Sequence, residues 1–327
     1  MEIKARKLYA HTPIADGDWH LLEQHLTSVA TLTEEFTSKF GANHLGYIIG
    51  LLHDAGKASD LFQDYLISAH NAAIQGSKAP PRSVDHKLAG VKLASEIWQP
   101  IGFCLLGHHG GLPDLTSIKA RLEQSANRDD VAQAIERFKT ICPNLDKQSI
   151  SVPKHVENPL TCEFLIRMLF SALVDADYLD TECHWDKQSF SIRQSSYDLQ
   201  NLWNIFDREQ TRMMKESPET PINSIRQEIY KACLDAAERP RGVYRLSVPT
   251  GGGKTRSGMA FALKHAIHNR MERIIVAIPY TSIIDQNAQV YRSIFGEANV
   301  LEHHSAVEFK DTEEYSEADL KMRLASE

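Results

Sequence analysis

A chain of 327 residues with a formal net charge of −7, 42% hydrophobic and 24% charged residues, has globular proportions and room for two domains, which excludes a disordered or collagen-like chain. The acidic balance excludes a wholly basic nucleic-acid coat but leaves a local basic groove open, because net charge does not describe a local site. Histidine occurs 15 times, a rich supply of the commonest metal ligand.

The first residues, Met1 to Lys7, carry charges with no apolar core behind them, so no signal peptide is expected. Trp19, Leu22, Leu26, Val29, Leu32, Phe36 and Phe40 recur every three or four positions. That spacing predicts a helix over Asp18–Phe40, with Asp16 or Asp18 to cap it and Gly41 to stop it. Helices are also expected over His44–His53 and Asp60–Ala69. Gly76, Pro80 and Pro81 mark Gln75–Arg82 as a loop, and a helix follows from Ser83 or Val84 to Trp98. The apolar segment Ile101–Leu106 leads to His108-His109-Gly110-Gly111, where the glycines end it. Residues 112–160 are polar and weakly patterned, with one helix expected at Asp129–Thr140. A stripe of Leu165, Leu169, Ala172, Leu173 and Ala176 predicts a helix over Thr161–Leu179, and another is expected at Tyr197–Met214. No strand is expected before residue 240, so residues 1–215 read as one all-helical domain.

Lys215 to Asn223 has linker composition. In residues 216–327 the pattern changes: a helix over Ile222–Glu238, a strand at Val243–Val248, a glycine turn, a helix from Lys254 and a β-branched strand at Arg273–Ile278. Strand–loop–helix–strand opens a parallel α/β sheet, and too few strands follow to complete a doubly wound one. The five cysteines form no CxxC pair, which argues against a disulfide framework or a structural zinc site. No run approaches the ~20 apolar residues of a membrane span. A cytoplasmic monomer with no membrane partner is the expectation.

The chemistry concentrates in Leu52-His53-Asp54-Ala55-Gly56-Lys57. An adjacent His-Asp pair offers one imidazole and one carboxylate, and a carboxylate can bridge two cations. Gly56 and Lys57 break the helix and bring an ammonium beside the pair, where it could hold a phosphate oxygen. By itself such a dipeptide is weak, but it has companions. His25 lies on the first helix beside core residue Leu26, His86 opens the helix after the proline loop, and His108-His109 ends a helix. The late helix carries Asp175, Asp177 and Asp180. At ~100° per residue Asp175 and Asp177 flank the apolar stripe on opposite edges, so spacing leaves both open. His11, His20, His44, His70, His155 and His184 are read as exposed or capping histidines.

This order closely resembles the HD metal-dependent phosphohydrolase superfamily, and within it the HD nuclease domain of the type I CRISPR-associated nuclease–helicases. The likeness spans about residues 20–185 and rests on His25, the His53–Lys57 motif, His86 with Ala89-Gly90, His108-His109-Gly110, and Asp-Ala-Asp-Tyr-Leu-Asp at 175–180. It implies two divalent ions held by His25, His53, Asp54, His86, His108, His109 and one late aspartate. Asp177, followed by Tyr178-Leu179, fits the family pattern better than Asp175. It also implies Asp54 and Lys57 in catalysis, single-stranded DNA as substrate, and a guide-RNA surveillance complex as partner. Mixed imidazole and carboxylate ligation suits Mn, Fe, Co or Ni better than Mg.

Val248-Pro249-Thr250-Gly251-Gly252-Gly253-Lys254-Thr255 is a second signal. Backbone N–H groups of such a loop curl round a phosphate, Lys254 reaches the β/γ phosphates, and Thr255 can coordinate Mg. Val248 stands where the strict motif has glycine. The looser form resembles the loop of superfamily 2 helicases, which implies a RecA-like domain binding ATP and Mg. Gln227, 27 positions before Lys254, stands where these helicases place an adenine-reading glutamine, and Ala277 to Gln286 resembles their next motif. No acidic Asp-Glu box follows, so the expectation is a helicase start that does not itself turn over ATP. Two rival readings are an HD hydrolase of nucleotides or cyclic oligonucleotides, and a non-catalytic docking module. Substrate preference separates the first rival, and metal content the second.

Overall fold

The computed structural model describes residues 6–302 apart from 14–16, 79–83, 126–127, 144, 146–151, 155, 188–189 and 191–197. His155, Asp16 and the expected helix starts at Ser83 and Tyr197 lie outside these residues. The chain divides into two compact units, Met1–Phe190 and Ser191–Glu327.

In the first unit α1 (Leu22–Ser38), α2 (Asn43–Leu52) and α3 (Asp60–Ile74) follow the expected order. The cap of α1 differs from expectation. Its N-cap is Leu21, without a side-chain hydrogen bond, and the amide of Leu22 donates to the Leu8 carbonyl at 2.9 Å. Leu8 leads into a short hairpin that the spacing does not reveal: β1 (Tyr9–His11) pairs antiparallel with β2 (His20–Leu21) through an irregular register. Strands this short carry no usable period-two pattern.

Helix α4 (Leu88–Ile97) starts two residues after His86, which therefore lies in the segment before the helix rather than opening it. Helix α5 (Gly102–Gly107) ends at His108. Helix α6 (Leu115–Ser125) falls in the stretch read as weakly patterned, and α7 (Asp129–Ile141) falls where expected. Helix α8 (Pro159–Trp185) is longer than its stripe suggests. Asn158 and Thr161 form a reciprocal cap at its start, with Pro159 at the first helical position.

The core lies where α1, α2 and α8 meet. Leu26, Val29, Leu45, Ile49, Leu52, Leu169 and Leu173 are all buried there. Helix α2 is apolar nearly all round and buried nearly all round. It approaches α1 so closely that a Cβ on Gly50 would lie 2.5 Å from the Ala30 Cα. Phe138 of α7 is fully buried in the same core. Phe138→Ala should cost about 3–5 kcal/mol of stability, read as a lower urea midpoint for this unit.

Among its described residues the second unit packs four α-helices: α9 (Leu199–Glu216), α10 (Pro221–Ala237), α11 (Lys254–His268) and α12 (Thr281–Phe295). Trp203 and Phe206 of α9 share a core with Met259, Leu263, Tyr291 and Phe295, so α9 belongs here rather than with the first helical unit. The strands expected at Val243–Val248 and Arg273–Ile278 do not form: the only sheet among the described residues is β1–β2. Val243, Ile275 and Val276 are exposed. A β-branched run becomes a strand only where neighbours supply ladder partners, and these runs meet none among the described residues. No described helix is long and apolar enough to cross a membrane.

Candidate metal centre

Helix α2 delivers His53 at its C-cap, still in helical conformation, and the chain then turns at Asp54 (φ −116°, ψ 21°) into a short 3-10 turn, Ala55–Ala58. His53 thus keeps the helix direction while Asp54 leaves it, and both are fully buried. His108 ends α5, His25 stands in the first turn of α1, and His86 comes from the segment before α4.

Each of these four rings can give its Nδ1–H to an acceptor of the chain. His53 reaches the Gly50 carbonyl at 2.7 Å, His108 the Leu105 carbonyl at 2.8 Å, His86 the Val84 carbonyl at 3.2 Å, and His25 the Asp180 Oδ2 at 2.6 Å. In the neutral form of that tautomer every Nε2 would offer its lone pair to a metal. All four Nε2 atoms converge on Asp54. His25 and His53 lie 3.3 and 3.4 Å from Oδ2, and His86 and His108 each lie 3.4 Å from Oδ1.

Two donor groups overlap at this carboxylate. His25, His53, Asp54 and Asp177 form one, and Asp54, His86, His108 and His109 the other, each with its donor atoms within 4.8 Å of one another. Asp177 Oδ1 is 3.6 Å from His25 Nε2 and 3.5 Å from His53 Nε2. Asp175 is exposed on α8 and belongs to neither group.

The donor set fits metal ions on two further grounds. Asp54 Oδ1 and His108 Nε2 are buried polar atoms without a hydrogen-bond partner, a costly state unless the pair serves a ligand. The centre also stabilises positive charge. Burial works to lower the His53 pKa, but Asp54 and Asp177 outweigh it and raise it to about 10. Burial likewise opposes ionisation of Asp54, yet Lys57, His53 and His86 hold its carboxyl well below the usual range.

Lys57 departs from the role expected of it. Its side chain is buried, and its three protons have acceptors in the chain: Asp54 Oδ2 at 2.6 Å, the Ala10 carbonyl at 3.2 Å and His11 Nε2 at 3.3 Å. It supports Asp54 from behind and has no proton left for a phosphate. His11, His20 and His184 are not simple surface histidines either. His11 Nδ1 and His20 Nδ1 are 3.2 Å apart, His20 stacks on His184 with centroids 4.5 Å apart, and His11, His20 and His25 form a further donor group. Burial pushes His11 down to about 2 and His20 down to about 4, so both rings are neutral at physiological pH. The hairpin that carries them was the missing signal. His44 is exposed, and His70 packs edge-on against Trp19 at 4.8 Å.

In the second unit Gly251 (φ +83°) and Gly253 (φ +82°) take left-handed conformations, and Gly253 is the N-cap of α11. Lys254 and Thr255 open that helix, and Thr250 precedes the turn exposed. Both Lys254 and Thr255 line a cleft of about 420 Å³ with Asn287 and Tyr291. Arg226 donates to the Gly251 carbonyl at 2.9 Å, whereas Gln227 is exposed.

Imidazoles gathered round one shared aspartate in a helical bundle define an HD-type metal-dependent phosphohydrolase. The chain belongs to the Cas3 HD-domain family: the model described as "Cas3, HD domain" matches residues 10–174, just over half of the 327 residues. The family places it among the metal-dependent nucleases of CRISPR systems. The match contains His25, His53, Asp54, His86, His108 and His109 and stops before Asp177. No individually curated protein matches the chain.

Proposed function

We propose that the first unit is a two-metal nuclease that cuts single-stranded DNA. The observation that carries the proposal is the division of Asp54, with Oδ2 toward His25 and His53 and Oδ1 toward His86 and His108. One carboxylate so placed can join two metal positions, completed by Asp177 on one side and His109 on the other. Bound there, two divalent ions supply an activated water near neutral pH and neutralise charge on the phosphoryl and leaving oxygens. The imidazole-rich donors favour Mn, Fe, Co or Ni. Lys57 orients Asp54 and balances its charge. His109 is exposed while His25, His53 and Asp54 are buried, so a scissile phosphate approaches from the His86–His109 rim.

In the whole nuclease–helicase the loop at Thr250–Thr255 would hold ATP with Mg, with Lys254 on the β/γ phosphates, Thr255 on the Mg and Gln227 near the adenine. Left-handed Gly251 and Gly253 ahead of a helix N-terminus support that reading. A guide-RNA surveillance complex would deliver the displaced strand. All five cysteines are free, and the proposed setting is the reducing cytoplasm.

Circular single-stranded DNA incubated with the chain and Mn, Ni or Co, without ATP, tests the proposal. Wild type should linearise and degrade the circle, and EDTA or Asp54→Ala should prevent it. Intact circles together with hydrolysis of nucleotides or cyclic oligonucleotides would move the substrate to small molecules.

A further inference from the structure

We propose that Asp180 is the positioning residue of His25, the carboxylate that turns this ring's Nε2 toward the metal centre. The inference rests on the two-metal reading and names a residue that reading does not use.

His25 differs from the other three rings at the centre. His53, His108 and His86 lean on backbone carbonyls two or three residues earlier in their own segments. Those acceptors come with the local fold. The acceptor for His25 is a side chain 155 residues away. Its Nδ1–Oδ2 distance of 2.6 Å is that of a short, charge-assisted hydrogen bond. Both groups are buried.

Helix α8 supplies two carboxylates one turn apart, which places them on one face. Asp177 Oδ1 lies 3.6 Å from His25 Nε2, and Asp180 Oδ2 lies on the opposite edge of the ring, at Nδ1. The helix therefore holds the ring from both edges. Asp180 is itself backed by a chain of groups whose donor order is forced. Lys57 can only donate, so His11 accepts at Nε2 (3.3 Å) and gives its Nδ1–H to His20 Nδ1 (3.2 Å). The remaining N–H of His20, at Nε2, then faces Asp180 Oδ2 at 3.6 Å. Since Lys57 also binds Asp54, the chain returns to the carboxylate at the centre. A carboxylate behind a ligating histidine fixes its tautomer and raises its basicity, and loss of such a partner weakens metal binding about 10–100-fold.

The test titrates Mn into the metal-free full chain, wild type, Asp180→Ala and Asp180→Asn, against a competing chelator. Nitrogen NMR of histidine-labelled, metal-free protein runs beside it. Asp180→Ala should bind one of two ions about 10–100-fold more weakly, leaving the His86–His108–His109 position unchanged. It should also lose the Nδ1–H tautomer of His25. Asp180→Asn keeps an oxygen that accepts from Nδ1 and should recover most of both, which general unfolding would not do. Two ions of unaltered affinity in Asp180→Ala, with His25 still protonated at Nδ1, overturn this proposal alone. A third ion in wild type that His20→Ala abolishes also overturns it, because the His11–His20 chain would then be a cation site. No ion in wild type overturns the two-metal reading instead.

Discussion

Asp54→Ala is expected to remove both metal ions and to lower the cleavage rate by at least about 100-fold. Loss of an outer partner alone costs about 10–100-fold, and Asp54 is the group shared by both donor sets. The change also has a structural cost. Lys57 loses its 2.6 Å partner while 5% exposed, and breaking a buried pair from one side costs about 3–5 kcal/mol. Asp54→Asn separates the two effects. Its amide oxygen can still accept from Lys57, so the fold recovers most of its stability, but an amide cannot serve both metal positions as an ionised carboxylate does. The asparagine variant should therefore melt closer to wild type than the alanine variant and cleave as poorly. Thermal melting and initial rates on one preparation read both. A stable Asp54→Asn protein with wild-type activity would remove Asp54 from the chemistry.

Gly56→Ala has the second largest expected effect. A helix-breaking role is enough to rationalise glycine after the His-Asp pair in the sequence, but the structure gives it a sharper one. A Cβ at this position would lie 2.0 Å from the His86 carbonyl oxygen and 2.5 Å from its carbonyl carbon. Both are backbone atoms with no rotamer to yield, so the segment carrying His86 must move. His86 Nε2 then leaves its place 3.4 Å from Asp54 Oδ1. The expected result is about 1–3 kcal/mol of destabilisation from overpacking, together with weaker binding at the His86–His108–His109 position only. The His25–His53–Asp177 position should keep its affinity. Chelator competition resolves the two positions, and equal weakening at both would contradict this account of Gly56.

Much of the first unit is legible from spacing. The stripes of α1, α2 and α7 mark helices close to where they lie, because each buries one continuous apolar face or, for α2, nearly all of its surface. The order His25, His53-Asp54, His86, His108-His109 likewise marks residues that the fold brings together. What stays hidden depends on partners far away in the chain. Helical angles leave Asp175 and Asp177 equivalent, whereas burial exposes Asp175 and turns Asp177 toward His25 and His53. His11 and His20 read as surface residues because strands of three and two residues carry no pattern. Lys57 looks available for substrate until its acceptors, Ala10 and His11, arrive from that hairpin. In the second unit the β-branched runs are correct as local propensity, but a ladder is a non-local event and does not form among the described residues.

Metal counting on wild type and two half-site variants tests the shared-carboxylate centre most directly. Elemental analysis after loading with Mn or Co and removal of excess ion should find two ions per wild-type chain. It should find one each for His25→Ala and His108→Ala, and none for Asp54→Ala. One ion in wild type, or two retained in Asp54→Ala, would contradict a centre built on the two oxygens of Asp54.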